Sequence, residues 1–273
     1  MEYKLNKLSL HDTTLAHVTQ YVSDPSHGIV LTGDKGVGLL TLARSIALAI
    51  NASPIEIIES IDGKEISIEQ VRAMYELTHS KRTTPMAVII DDADTMSRPA
   101  QNAFLKLLEE PPSRVHFILT THSAQHLLET ILSRTMTIEV RPIDDDASRR
   151  LLKSLNADTD MHSQLLFLAS GRAAELTRLV SDDAEFARQK QFVLDARSFI
   201  QGDAYARIST SQKYSKDRQD AIVFVTMVGK LLRHTSQRTA TAGQHMSVVA
   251  DTIDRLHDNA SIKLQLLKLS LLL

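Results

Sequence analysis

The sequence predicts an α/β fold with a parallel sheet, followed by a region that is helical throughout, and three observations carry that expectation. Between Met86 and Arg141, short apolar β-branched runs (Ala87 to Ile90, Val115 to Leu119, Met136 to Val140) alternate with segments of helical period. That alternation is the pattern of parallel strands joined by crossover helices. The first run ends in Asp91-Asp92, which puts two carboxylates at the carboxyl edge of a buried sheet, where open α/β folds bind ligands. After Arg141-Pro142 every periodic segment has helical spacing.

Composition narrows the function classes. With 273 residues, 43% hydrophobic and 23% charged, the chain falls in the soluble globular class, with material for one large core or two to three modest domains. A formal net charge of -2 supplies no field that draws a protein onto nucleic acid, so any DNA contact is local or made within an assembly. Aromatic residues make up 4%, without Trp, which argues against a surface that stacks single-stranded bases. The chain has no Cys, which excludes disulfides, thiolate zinc sites and cysteine catalysis and fits a reducing compartment. The start, MEYKLNKLSL, has no long apolar core, and no run approaches the ~18 apolar residues of a spanning helix. The expectation is a cytoplasmic protein without a membrane segment.

Taken in order, Asp12 is placed to cap a short helix whose apolar positions Leu15, Val18 and Val22 recur at helical spacing. Asp24, Pro25 and Gly28 mark a turn. The run GIVLTGDKGVGLLTLARSIALAI then reads as strand, glycine-rich loop and helix, the layout of a phosphate-cradling loop. In a working loop the glycines Gly33, Gly36 and Gly38 would be followed by Lys and by Ser or Thr, for the phosphates and for Mg²⁺. Leu39 and Leu40 stand there instead. Thr41 comes one residue late, about 100° of helical rotation away, and Lys35 precedes the last glycines. The loop is therefore not expected to support Mg-dependent hydrolysis. Its glycines serve the tight turn, Leu39 and Leu40 pack a core, and residual nucleotide binding through backbone N–H groups stays open.

The segment PIEIIESIDGKEISIEQVRAM gives a second strand and, after Asp62-Gly63, a helix opened by a capping box of Ser67 and Gln70. Asp91 and Asp92 read either as turn and cap residues at a strand end or as the remnant of a nucleotide site. Thr121 closes the strand after them. His122 and His126 have two-histidine metal spacing, but no Glu follows His122 and no third ligand is evident, so no metal is expected. No G-x-S-x-G elbow supports a serine hydrolase. Downstream, DDDASRRLLKSL, DMHSQLLFLAS, GRAAELTRLV, AEFARQKQFVLDARSFI, DRQDAIVFVTMVGKLLRH and HMSVVADTIDRLH are helical in period. A polar stretch, SQRTATAGQ, separates the last two, and SIKLQLLKLSLLL, interrupted by Lys263 and Lys268, reads as a packed terminal helix.

The runs VIIDDADTM, AFLKLLEEPP, FILTT and TILSRT follow one another across about fifty residues. In order and spacing they resemble the Walker B strand, the next helix, the sensor-1 strand and the SRC motif of the clamp-loader family of AAA+ proteins. Within that family the chain is similar to the ATPase-degenerate, delta-prime type of bacterial DNA polymerase III. The resemblance implies a P-loop-type AAA+ core over 1-141, a small helical lid over 142-183 and an all-α collar over 184-273 that joins a ring. A four-cysteine module that such proteins often carry is absent, since only Asn51-Ala52-Ser53 separates the flanking elements.

The same resemblance assigns roles. Asp91 would be the metal-side acid, and Asp92 occupies the place of a water-orienting Glu, falling short by ~1 Å or more, a displacement worth on the order of 10²-fold in rate. Thr121 matches the sensor-1 position. Ala174 takes the place of a sensor-2 arginine, with Arg172 and Arg178 close by and only Arg178 on its face. Gly33, Gly36, Gly38, Asp91, Asp92 and Thr121 thus form a degenerate nucleotide site. Arg134, by contrast, is the arginine that the family extends toward ATP held by a neighbour, a contact worth on the order of 10³- to 10⁵-fold in rate. The plain alternative for Arg134 is an ion pair with a nearby carboxylate. The function implied is a non-hydrolysing clamp-loader subunit of the polymerase III holoenzyme, with no cofactor of its own, ATP being bound by partner subunits. Its partners would be gamma/tau-like ATPase subunits and a delta-like subunit in a hetero-oligomer, with the sliding clamp and primer-template DNA reached through the complex. An active ATPase that uses Lys35 or a neighbour's cation, and a scaffold without catalytic contribution, are the alternatives.

Overall fold

The computed structural model describes residues 5–61, 63–78, 83–235 and 242–273. Asp62, in the turn expected before the capping box, and most of the polar stretch SQRTATAGQ lie outside the described residues. The chain divides into two compact units, Met1–Ser181 and Asp182–Leu273.

In the first unit α1 (Asp12–Ser23) leads into β1 (Gly28–Thr32), α2 (Leu39–Ala49), β2 (Ile55–Ile58), α3 (Ile68–Thr78), β3 (Met86–Ile90) and α4 (Arg98–Glu109). β4 (Val115–Thr121), the short α5 (Glu129–Leu132) and β5 (Met136–Glu139) complete the sheet. α6 (Asp145–Ser154), α7 (His162–Ala169) and α8 (Ala173–Ser181) follow. The strands pair in parallel in the order β2-β3-β4-β1-β5. β3, MAVII, is buried at every position, which is why it reads as an unbroken apolar run rather than an alternating one. The edge strand β2 is only half-buried.

Two apolar clusters cover the two faces of the sheet. One joins Val88, Ile90, Phe117 and Leu119 to Val71 and Met74 of α3, to Phe104 and Leu107 of α4 and to Ile131 of α5. The other joins Ile29, Leu31, Ile89 and Ile118 to Val18 of α1 and to Leu39, Leu42 and Ile46 of α2. Phe104 and Phe117 are fully buried and meet edge to face at 5.2 Å. Truncating either to Ala costs about 3–5 kcal/mol on the scale of core aromatic deletions.

Local chemistry sets the element ends. The capping box at α3 forms as the sequence indicates: Ser67 N–H donates to Gln70 Oε1 at 3.0 Å and Gln70 N–H to Ser67 Oγ at 3.4 Å. α4 is capped by Ser97, whose Oγ accepts from Ala100 N–H, with Pro99 in the first turn. At α1 the expectation is corrected. Asp12 is the first helical residue, and the cap is His11, whose Nδ1 accepts from Thr13 N–H at 3.3 Å. An imidazole nitrogen at the residue before Asp12 supplies the acceptor that the carboxylate was expected to supply.

The second unit consists of α9 (Asp183–Gln201), α10 (Ala204–Gln212), α11 (Arg218–Thr235), α12 (Ala242–His257) and α13 (Ile262–Leu272). Its centre is an aromatic stack: Tyr214 lies between Phe192 at 5.0 Å and Phe224 at 4.5 Å, and Phe199 meets Phe224 edge to face. Asp195 sits beside it, accepting from Tyr214 Oη at 2.6 Å and from Lys213 Nζ at 2.8 Å. Arg218 donates to the carbonyl of Leu256, one of the acceptors left at the end of α12, and to that of Ala260 beyond it. α13 buries Leu266 and Leu269, whereas Leu264 and Leu271 are exposed. The terminal helix is thus packed on one face only. Among the described residues no helix is long and apolar enough to cross a membrane.

Candidate functional site

The carboxyl edge of the sheet gathers the residues singled out in the sequence. The loop from Gly33 to Gly38 joins β1 to α2, the acid pair follows β3, and Thr121 ends β4. Gly33 N–H donates to Thr121 O at 3.2 Å, while the Gly33 carbonyl faces His122 Nδ1 at 2.8 Å. Both polar groups of its main chain are therefore spent inside the protein. Gly36 and Gly38 have φ of 90° and 101°, a region that side chains disfavour. The glycines are needed to turn the chain into α2.

The helix start carries apolar chemistry. Leu39 is 5% exposed in the cluster beneath the sheet, and Leu40 is half-buried against it. Lys35 is exposed, and Thr41 uses its carbonyl to accept from Ser45. α8 then closes over the loop. Glu175 N–H donates to Gly36 O at 2.9 Å, and Arg172 Nη1 donates to Lys35 O at 3.2 Å. A methyl group placed on Gly36 would come within 2.9 Å of Glu175 Cβ, and one on Gly38 within 3.4 Å of Ala174 Cβ. Ala174 therefore stands at the phosphate-loop end of α2. Arg172 is committed to the carbonyls of Leu168, Ala169 and Lys35, and Arg178 forks onto both carboxylate oxygens of Glu175 at 3.0 and 3.1 Å. The Glu175 carboxylate, paired with Arg178, thus lies against the loop in which a nucleotide's phosphates would sit.

The acid pair is held by the neighbouring strand. Register places Ile90 opposite Leu119, so Asp91 falls opposite Thr120. Thr120 Oγ1 donates to Asp91 Oδ1 at 2.6 Å and accepts from Asp92 N–H at 3.0 Å. Thr121, one residue on, is fully buried, and its hydroxyl accepts from Ser123 N–H. The threonine in contact with the acids is thus Thr120, which the sequence reading passed over; the strand register was the signal that would have found it. Asp92 has φ of 48°, and its carboxylate meets His122 Nε2 at 3.3 Å. Desolvation, and then the neighbouring Asp91, raise the Asp92 carboxyl above the ordinary value against the opposing pull of His122. Because a carbonyl can only accept, His122 Nδ1 is the donor in its contact with Gly33. His126 lies in a separate 3₁₀ turn and its carbonyl accepts from Gln101 Nε2. Among the described residues no group of three His, Cys, Asp or Glu is placed to hold a metal ion.

Arg134 lies apart from this edge, just after α5. Its Nη2 donates to Glu109 Oε1 at 3.0 Å and its Nη1 to Thr130 O at 3.1 Å. Its side chain is 38% exposed. The ion pair that stood as the alternative reading is present, and the guanidinium remains within reach of solvent.

Residues 49–144 match a family model described as DNA polymerase III, delta subunit. The chain is 26% identical over 292 residues to the delta' subunit of DNA polymerase III from Bacillus subtilis, covering 87% of this chain and 88% of that one. It is 29% identical to the tau subunit of Escherichia coli, over 55% of this chain and 27% of tau. It is also 29% identical to a gamma subunit from Buchnera aphidicola, over 50% of this chain and 45% of gamma. The chain thus spans less than half the length of these gamma and tau relatives. Among solved structures, a DNA polymerase III gamma subunit-related protein from Thermotoga maritima superposes with a TM-score of 0.55 at 18% identity, over 94% of this chain and 97% of that one. At that identity the match speaks for the fold alone, a parallel α/β sheet domain with a helical C-terminal part.

Proposed function

We propose that this chain, a member of the clamp-loader family, is a DNA polymerase III subunit of the delta-prime kind that does not hydrolyse ATP itself and lends Arg134 to a neighbouring ATPase. The observation that carries the reading is the state of the phosphate loop. Leu39 and Leu40 stand where the cation and the metal hydroxyl belong, and Glu175 and Ala174 of α8 lie against Gly36 and Gly38. Each missing group is one that phosphoryl transfer needs for charge neutralisation or for metal binding. Asp92, whose carboxylate pairs with His122, is one methylene shorter than the Glu that would orient an attacking water, a displacement worth on the order of 10²-fold in rate. In this reading the first unit contributes a fixed wall and Arg134, the helical second unit joins a hetero-oligomeric ring with gamma/tau-like and delta-like subunits, and the complex meets the sliding clamp and primer-template DNA in the cytoplasm. ATP is bound by the partners.

The matches to gamma and tau favour a second reading, an active ATPase. Titration of the purified chain with a fluorescent ATP analogue in the presence of Mg²⁺, followed by an assay of phosphate release, separates the two. The first reading expects no turnover above background, with or without residual nucleotide binding. Saturable binding with turnover that persists through purification supports the second.

A further inference from the structure

The run AFLKLLEEPP spans the end of α4 at Glu109, and the carboxylate of Glu109 holds Arg134. We infer that Glu109 is a positioning residue that presents the Arg134 guanidinium to the terminal phosphate of a nucleoside triphosphate held by a neighbouring chain; the inference rests on the reading of Arg134 as a group lent to a neighbour. The two residues are 25 apart in sequence, and each is anchored through its own element. Leu107 and Leu108 fix the end of α4, and Ile131 fixes α5, in the same buried cluster. Arg134 N–H in addition donates to Ile131 O at 3.1 Å. The pair therefore joins two rigid points.

An arginine has five N–H donors in a planar fork. Glu109 engages Nη2 and the Thr130 carbonyl engages Nη1, so two contacts from different elements set the plane and direction of the guanidinium and leave three donors uncommitted by these bonds. An unrestrained arginine spreads over many rotamers, and ordering it at the moment of reaction subtracts from the phosphate contact it makes. With side chains 38% and 51% exposed, the pair adds little to stability. Orientation is what it supplies.

The test is ATP turnover by the complex reconstituted from this chain and its gamma/tau-like ATPase partners, with the chain as wild type, Arg134→Ala, Glu109→Ala, Glu109→Gln and the Arg134→Ala/Glu109→Ala double variant. The expected result for Glu109→Ala is a fall of about fivefold in kcat at the one site facing Arg134, at unchanged KM, with the rates at the other sites and the melting temperature of the chain unchanged. Glu109→Gln, whose Oε1 can accept the same bond, recovers most of the loss. The double variant is no slower than Arg134→Ala alone, because Glu109 acts only through the arginine. Slow turnover in Arg134→Ala beside wild-type or faster turnover in Glu109→Ala overturns the positioning role and leaves the arginine reading in place. Wild-type turnover in Arg134→Ala overturns both.

Discussion

The amide of Glu175 donates to the carbonyl of Gly36 at 2.9 Å, so α8 is fastened by its main chain to the middle of the phosphate loop. The Glu175 side chain lies directly over the glycine. A loop whose glycines ordinarily leave room for phosphate here leaves room for a neighbouring helix. Replacing Gly36 by Ala places a methyl group 2.9 Å from Glu175 Cβ at a φ of 90°. Strain of this kind costs about 1–3 kcal/mol, which lowers the melting temperature by roughly 2–12 °C for a unit of this size. Thermal unfolding followed by circular dichroism measures it, and an unchanged midpoint would mean that α8 does not rest on the loop in solution.

Asp195 yields a prediction with a definite sign in pH. Burial pushes its carboxyl up, but the hydrogen bonds from Lys213, Tyr214 and Gln191 together outweigh burial and hold it below the ordinary carboxylate value. Its stabilising contribution is therefore present above the unfolded value of ~3.9 and is lost as pH falls through the lower folded value. Asp195→Ala also leaves the Tyr214 hydroxyl, on a side chain 9% exposed, without its acceptor, at a cost of about 1–3 kcal/mol. Denaturant titrations should show the full difference from wild type at pH 7, less from Asp195→Asn, and a narrowing gap below pH ~4. A gap that widens in acid contradicts the assignment.

The parts of this structure that were legible in the sequence are those set by nearest neighbours along the chain. The buried run MAVII, the Ser67–Gln70 capping box and the replacement of polar by apolar residues at Leu39 and Leu40 each follow from local period or from a few adjacent positions. What was not legible depends on which strand or helix lies alongside. Thr120 rather than Thr121 reaches Asp91 because β4 pairs with β3 in one register. Glu109 meets Arg134 across 25 residues, and Glu175 meets Gly36 only once α8 folds back. No local pattern encodes any of these three contacts. The cap of α1 was misplaced by one residue for a smaller reason: His11 and Asp12 both offer an acceptor, and backbone geometry selects the first.

Truncation tests the division of labour between the two units. A chain ending at Ser181 retains the whole sheet with α6 to α8. It is expected to unfold cooperatively and to fail to co-elute with the ATPase subunits, since the helices that would bury their apolar stripes against a neighbour have been removed. Co-elution of the truncated chain refutes the placement of the ring contact in residues 182–273.

The central claim is that this chain has lost the groups it would need for its own nucleotide and keeps the one it lends, and Arg134→Ala in the reconstituted complex tests it most directly. The guanidinium is partly exposed and pairs with a half-exposed carboxylate, so folding and assembly should survive its removal nearly unchanged. DNA-stimulated ATP turnover at the one site facing Arg134 should fall by on the order of 10³-fold, with little recovery in Arg134→Lys, whose ammonium lacks the planar fork. Sites facing other subunits should keep their rates. Unchanged turnover at every site, together with a small drop in melting temperature, would contradict the account and leave Arg134 as a surface ion pair with Glu109.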